Sequence, residues 1–204
     1  MDKLERLQQQ MSFLVEIDKL KTILRQSYVV HEHRRENDAE HTWHIALMAA
    51  LLSEYADEEL DLLRTVRMLL VHDLVEIDAG DTFAYDVTGH QDKLEREEKA
   101  AKRLFSILPE DQQKEYYELW KEYEDRQTPE ARYALVMDRL QPMLQNVYTK
   151  GASWRKHGVT ADQVIHRASV MKDASVQLHD FALRLIENAV KEGILLPGTE
   201  SELT

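Results

Sequence analysis

His41, His72, Asp73 and Asp138 are two imidazoles and two carboxylates, a set of nitrogen and oxygen donors that a divalent metal could gather into one site. His72-Asp73 is the informative pair. It sits inside Leu69-Leu70-Val71-His72-Asp73-Leu74-Val75-Glu76-Ile77, a run apolar enough to read as a buried segment. An ionised carboxylate is very costly to bury alone, so buried charges are paired or bound to metal. Asp73 therefore needs a compensating group. The dipeptide by itself is weak evidence, because the chain carries another at His179-Asp180. On a helix, Glu76 follows Asp73 and His72 by three and four positions and shares their side, which places an acid beside the same cavity. The competing reading is structural: His41 a core histidine bonded to a carbonyl, Asp138 a cap or bridge, and Asp73 paired with Arg64 or Arg67.

The elements that must position these residues read as helices. Six glycines and four prolines leave few stops in 204 residues, and no alternating β-branched run demands a strand, so an all-α fold is expected. Leu4, Leu7, Met11, Leu14 and Ile17 mark a first amphipathic helix that continues through Leu20 to Leu24. Arg25 to Asp38 reads as a loop. A second helix from about Ala39 to Tyr55 carries His41, Ile45, Met48 and Leu52 on one stripe. Leu60 to Ile77 reads as one dense apolar helix closed at Gly80, followed by a loop from Thr82 to Asp92. Charged helices follow over about Lys93 to Leu108 and Glu110 to Asp125, and Thr128-Pro129 starts another. In it Pro142 cannot donate to the carbonyl of Asp138, which predicts a kink there. Thr149 to Val159 reads as a polar loop, and Thr160 with Gln163 as the capping box of a last long helix, with Val164, Ala168, Met171, Leu178, Ala182 and Leu185 as a core stripe. One domain is expected, its core over about residues 12–190, with 194–204 a possible disordered tail.

Composition narrows the function. A formal net charge of −12 argues against nucleic-acid polymers and anionic membranes, which need a basic face. An anionic small molecule remains open if a metal and a few arginines reverse the field locally. Zero cysteines exclude disulfides and thiolate zinc sites, and the start lacks the apolar core of a signal peptide, so a cytoplasmic protein is expected.

The ordered motifs Glu36-Asn37-Asp38-Ala39-Glu40-His41, His72-Asp73-Leu74-Val75-Glu76 with Gly80-Asp81, and Met137-Asp138 resemble the HD-domain metal-dependent phosphohydrolases. Within them the chain is most similar to the branch of bacterial 5′-deoxynucleotidases and their eukaryotic and archaeal relatives, over roughly residues 12–148. The resemblance implies an all-helical fold with one metal held by His41, His72, Asp73 and Asp138 between core helices. It also implies that Glu76 and Asp81 work as catalytic acids beside the metal, and that Arg25 contacts substrate. The bacterial enzymes follow that arginine with tryptophan, whereas Gln26 and Ser27 intervene here before Tyr28. Tyr28 is the candidate to read sugar or base, and Arg35 the reserve phosphate ligand. A homodimer is expected from the relatives, with the last helix offering an apolar stripe.

The donor set also speaks to the ion. Four protein ligands would fill a tetrahedral zinc shell, so a working site implies five or six positions. Two histidines with two carboxylates favour manganese, cobalt, iron or nickel, with magnesium or zinc possible. Such an ion polarises a phosphoryl oxygen and activates water near neutral pH. The leading expectation is hydrolysis of (deoxy)nucleoside 5′-monophosphates to nucleoside and phosphate. The alternatives are hydrolysis of a nucleoside polyphosphate such as a guanosine alarmone, suggested by Glu76-Ile77-Asp78, and a non-catalytic nucleotide- and metal-binding regulatory module. A di-iron oxygenase would need histidines between His72 and Asp138, where the sequence offers only His90. His44 is placed to orient His41. His31, His33 and His166 read as solvated or unpartnered, and Lys150, Trp154, Arg155 and His157 as a surface loop with a phosphate-binding option.

Overall fold

The N-terminal helix forms where an acid pair closes its first turn, Asp2 and Glu5 making a reciprocal capping box ahead of α1 (Lys3–Ile17). The computed structural model describes residues 2–86, 89 and 91–198. The helix does not continue to Leu24 but tightens into a 3₁₀ turn over Asp18–Thr22. Phe13 and Leu20 are its buried contacts, whereas Leu4, Leu7, Met11 and Leu14 stay exposed.

The segment expected to be a loop is a hairpin. β1 (Leu24–Tyr28) and β2 (Arg35–Asn37) pair antiparallel, with Leu24 opposite Asn37 and Tyr28 opposite Arg35 and an irregular register between. Its buried residues are Ser27 and Glu36, both polar, so no apolar alternation announces it. Asn37 then caps α2 (Asp38–Leu51), accepting from the Glu40 amide at 3.0 Å.

The apolar run from Leu60 to Ile77 is not one helix. α3 (Leu62–Val71) gives way to a 3₁₀ turn over His72–Val75 and then to α4 (Glu76–Ala79), which Gly80 ends at φ 76°. No glycine or proline marks this change; tightening occurs where the His72 ring bonds a carbonyl of α3. α5 (Lys93–Phe105), α6 (Glu110–Asp125) and α7 (Pro129–Tyr148) follow the expected bounds closely. Thr128 caps α7 through the Ala131 amide, and α7 runs as one helix through Pro142.

Two further expectations change beyond α7. The Thr149–Val159 segment contains α8 (Ala152–His157), whose Trp154 is fully buried, because Gly151 at φ 72° and Gly158 at φ 62° turn the chain inward at both ends. The last long helix is two, α9 (Ala161–Ala168) and α10 (Val176–Lys191), separated by a 3₁₀ turn and a new cap at Ser175. The Thr160–Gln163 capping box is present. Residues after Gly193 do not begin a loose tail: Ile194 and Leu195 are buried, and Leu196 accepts from the Ala161 amide at 2.9 Å. Residues 199–204 lie outside the described residues.

Two hydrophobic clusters result. The larger unites α2, α3, α7, α9 and α10 around Ile45, Met68, Leu69, Tyr133, Met137 and Ile186. The smaller joins α1, α5 and α6 around Phe13, Leu104, Phe105 and Trp120. The chain passes from one to the other at the His72 turn, Met68 and Leu69 belonging to the first and Val71, Leu74 and Val75 to the second. Leu178, Ala182, Ile186 and Ala189 of α10 are consumed by this core, while Val176 and Phe181 of the same helix stay exposed. Exposed apolar residues also lie on α1 and on α2, the latter at Trp43, Leu47 and Leu51. No helix among the described residues is long and apolar enough to cross a membrane.

Candidate metal centre and active site

His72 is oriented by its own backbone. Its Nδ1 donates to the Leu69 carbonyl at 2.7 Å, so in the neutral ring Nε2 carries the lone pair. That buried Nε2 has no hydrogen bond, although Asp73 Oδ1 lies 2.9 Å away. The distance is short but the alignment is not that of a hydrogen bond. His41, fully buried on α2, faces it across 5.8 Å between ring centroids. His41 Nδ1 lies 3.1 Å from Gln141 Oε1, an acceptor, so in the neutral ring the lone pair falls on Nε2, 3.2 Å from Asp138 Oδ1 and 3.8 Å from Asp73 Oδ2. Acceptors thus converge on acceptors. Donor atoms of His41, His72 and Asp73 fit within 4.8 Å of one another, and Asp138 joins from α7 through its contact with His41. Orphaned lone pairs of this kind are what a cation would satisfy, so the residues present fit a divalent metal.

Asp73 also has a protein partner, though not Arg64 or Arg67, which pair with Glu122 and Glu115. Arg25 Nη1 lies 3.0 Å from Asp73 Oδ2 and 3.4 Å from Asp38 Oδ1, and Nη2 is 4.0 Å from Asp138 Oδ1. Against the cost of burial, the neighbouring His72 ring and the Arg25 guanidinium hold Asp73 well below the usual carboxylate range. Asp138 is lowered in the same way, burial being outweighed by Arg139, whose Nη1 is 3.2 Å from Oδ2, and by His41.

A second acidic set lies alongside. Oxygens of Asp38, Glu76 and Asp81 also come within 4.8 Å of one another. Burial, and then the Asp73 charge, push Asp38 up to about 7 and Glu76 well above the ordinary value. Asp81 is raised by burial against the opposing pull of Arg25. Glu76 Oε2 and Asp38 Oδ2 are buried without hydrogen bonds. These acids could hold a cation or keep and move protons.

Above them opens a cavity of about 300 Å³. His72, Asp73, Glu76, Asp81 and Asp138 form its floor, Arg25, Lys93, Arg139 and Arg167 supply positive charge, and Phe83, Tyr85 and Trp154 form an aromatic wall. Arg167 donates to the Ala84 carbonyl at 3.1 Å and lies 5.6 Å from the Tyr85 ring centre, fixing the wall. His157 stacks on Phe83 at 4.2 Å, so the α8 segment contributes rings to the site region through Trp154 and His157.

Of the residues picked from sequence, the structure brings together Arg25, His41, His72, Asp73, Glu76, Asp81 and Asp138. Tyr28 and Arg35 are not in the cavity lining; Arg35 instead donates to the Arg25 and Leu24 carbonyls and braces the hairpin. His44 does not touch His41 directly but lies 3.3 Å from Gln141 Nε2. His31, His33 and His166 are exposed, His179 is 3.7 Å from Asp180 and joins no ligand set among the described residues, and His90 lies outside them. Sequence reasoning missed Asp38, Gln141 and Arg139. Asp38 stands at a helix start, where an acid is ordinary, and only the recurrence of acids near His41 could have flagged it.

The fold and this pair of histidines with aspartates define an HD domain, and the chain belongs to that family: the family model matches residues 17–179. The chain is similar to the 5′-deoxynucleotidase HDDC2 of Bos taurus, 38% identical over 136 residues, which are 66% of this chain and 65% of that protein. The Homo sapiens protein of the same name is 36% identical over the same share. The match thus spans a little under two thirds of those relatives. Among solved structures, a predicted metal-dependent phosphohydrolase of Magnetospirillum magnetotacticum MS-1 superposes with a TM-score of 0.90 at 56% identity, covering 94% of this chain and 96% of that one. A conserved protein of Pyrococcus furiosus shares the fold at a TM-score of 0.62 and 21% identity.

Proposed function

We propose that this protein is a metal-dependent phosphohydrolase acting as a 5′-nucleotidase on (deoxy)nucleoside 5′-monophosphates. The observation that carries the reading is the meeting of His41 Nε2, orphaned His72 Nε2, Asp73 and Asp138 at the floor of a cavity with cationic and aromatic walls. The names of the HDDC2 relatives and of the Magnetospirillum protein support it. A divalent ion held by His41, His72, Asp73 and Asp138 supplies Lewis-acid activation when bound, and manganese, cobalt, iron or nickel suit the donors best. Arg25, aided by Arg139 and Lys93, grips the phosphate oxygens, guanidinium matching them in bidentate fashion. Phe83, Tyr85 and Trp154 pack on the nucleoside. Water attacks phosphorus and the bond to the 5′ oxygen breaks. Glu76, whose carboxyl burial pushes upward, gives its proton to the leaving oxygen, while Asp81 takes one from the attacking water.

The cavity volume lies at the lower end of small-molecule sites, which favours a monophosphate over an alarmone with two phosphate arms. The reading includes a cytoplasmic location and a homodimer, for which Trp43, Leu47 and Leu51 supply exposed apolar surface. The test is phosphate release from ribo- and deoxyribonucleotide monophosphates, with Mn²⁺, Co²⁺, Mg²⁺ and Zn²⁺ supplied separately to chelator-treated protein. Release that depends on metal and on a 5′ phosphate is the expected result. No release from any monophosphate, with turnover of a polyphosphate, would overturn it.

A further inference from the structure

Glu36 is a buried carboxylate on β2 that is not itself in the cavity lining, although its Oε2 accepts from the Ser27 hydroxyl at 3.4 Å and lies 3.8 Å from His41 Nδ1. Its Oε1 accepts from Gln141 Nε2 at 2.7 Å and from Gln145 Nε2 at 2.6 Å. The second hydrogen of the Gln141 amide faces His44 Nδ1 at 3.3 Å. Both amide hydrogens are therefore committed to acceptors. Turning the amide over would set its oxygen against the Glu36 carboxylate, so Gln141 Oε1 has one place left, 3.1 Å from His41 Nδ1. An acceptor there requires Nδ1 to carry the proton.

We propose that Glu36 and Gln141 are positioning residues that lock His41 in the tautomer whose Nε2 lone pair points into the ligand cluster. The inference rests on the metal-site reading for its purpose but not for its geometry. His72 reaches the same tautomer by a different route, a backbone carbonyl, so the two imidazoles are prepared before any ion arrives. Such outer partners of ligating histidines set ring orientation and basicity, and their loss lowers metal affinity by roughly 10- to 100-fold. Glu36 also stands 3.9 Å from Arg25 Nε, so one carboxylate braces both the ligand and the arginine beside it.

The experiment uses the full chain labelled with ¹⁵N-histidine. Long-range ¹H–¹⁵N correlation in metal-free buffer should show His41 with a protonated Nδ1 and a pyridine-like Nε2; a protonated Nε2 in the wild type overturns the proposal without any variant. Mn²⁺ titration calorimetry should then show roughly 10- to 100-fold weaker binding in Gln141→Leu and Glu36→Leu, with His41 shifted toward the other tautomer. Glu36→Gln retains a carbonyl oxygen for both amides, so it should keep the wild-type tautomer and stay within about threefold in affinity. Wild-type affinity and tautomer in Gln141→Leu overturn the relay, as does a loss in Glu36→Gln equal to that in Glu36→Leu. A wild type with the expected tautomer that binds no Mn²⁺ supports the relay and overturns the metal reading instead.

Discussion

Replacing Arg25 by alanine should weaken the metal-free protein far more than the metal-bound one. Arg25 Nη1 lies 3.0 Å from Asp73 Oδ2 and 3.4 Å from Asp38 Oδ1, and the side chain is mostly buried. At an effective dielectric of about 20, unit charges 3 Å apart attract by roughly 5 kcal/mol. Removing one member of a buried pair typically costs about 3–5 kcal/mol, because the other is left uncompensated. For a chain of 204 residues each kcal/mol moves Tm by about 2–4 °C, so the drop should be on the order of 10 °C in the presence of chelator. A divalent ion among the same carboxylates replaces the missing positive charge, and Arg25 no longer competes for Asp73. Adding Mn²⁺ should then raise Tm more in Arg25→Ala than in the wild type, since ligand that binds only the native state stabilises in proportion to its affinity. Calorimetric melts with chelator and with saturating Mn²⁺ give all four values. Equal metal-induced shifts in both proteins, or an unchanged Tm in chelator, would refute the argument. Turnover should fall even as the ion binds more tightly, and Arg25→Lys should remain impaired because an ammonium lacks the planar fork.

Asp138→Ala should lose most bound metal, measured by elemental analysis after gel filtration, and full occupancy would remove Asp138 from the ligand set. Glu76→Gln should retain metal while phosphate release falls by roughly 10² or more, and loss of both together would make Glu76 a ligand. Gly151→Ala should destabilise the fold by about 2 kcal/mol or more, since φ is 72° and a Cβ would collide with the Ile194 carbonyl; a melt unchanged from the wild type would contradict that strain.

The candidate site is more legible in the sequence than the scaffold that shapes it. His72, Asp73 and Glu76 stand out because charged residues in an apolar run demand a partner, and His41 because it shares a stripe with Ile45 and Met48. Glu36 and Gln141 give no such signal: each looks like an ordinary surface residue until the fold buries it. The hairpin escapes for the same reason, its inner positions being Ser27 and Glu36. The break of α3 at His72 coincides with the bond of the His72 ring to the Leu69 carbonyl, and the apolar periodicity runs straight through it without a sign. Trp154 shows the converse, a large apolar residue in a polar stretch whose flanking glycines turn it inward.

The passage of the chain from one hydrophobic cluster to the other at the His72 turn bears on how the molecule assembles. His41 and Asp138 ride on α2 and α7 of the larger cluster, whereas the residues following Asp73 anchor in the smaller. A chain with only the larger cluster formed would hold two of the four proposed ligands in place and leave the other two on an unanchored segment. If these four residues hold the ion as proposed, its capture at the full set requires both clusters to have closed, so metal binding should report completed assembly of the two.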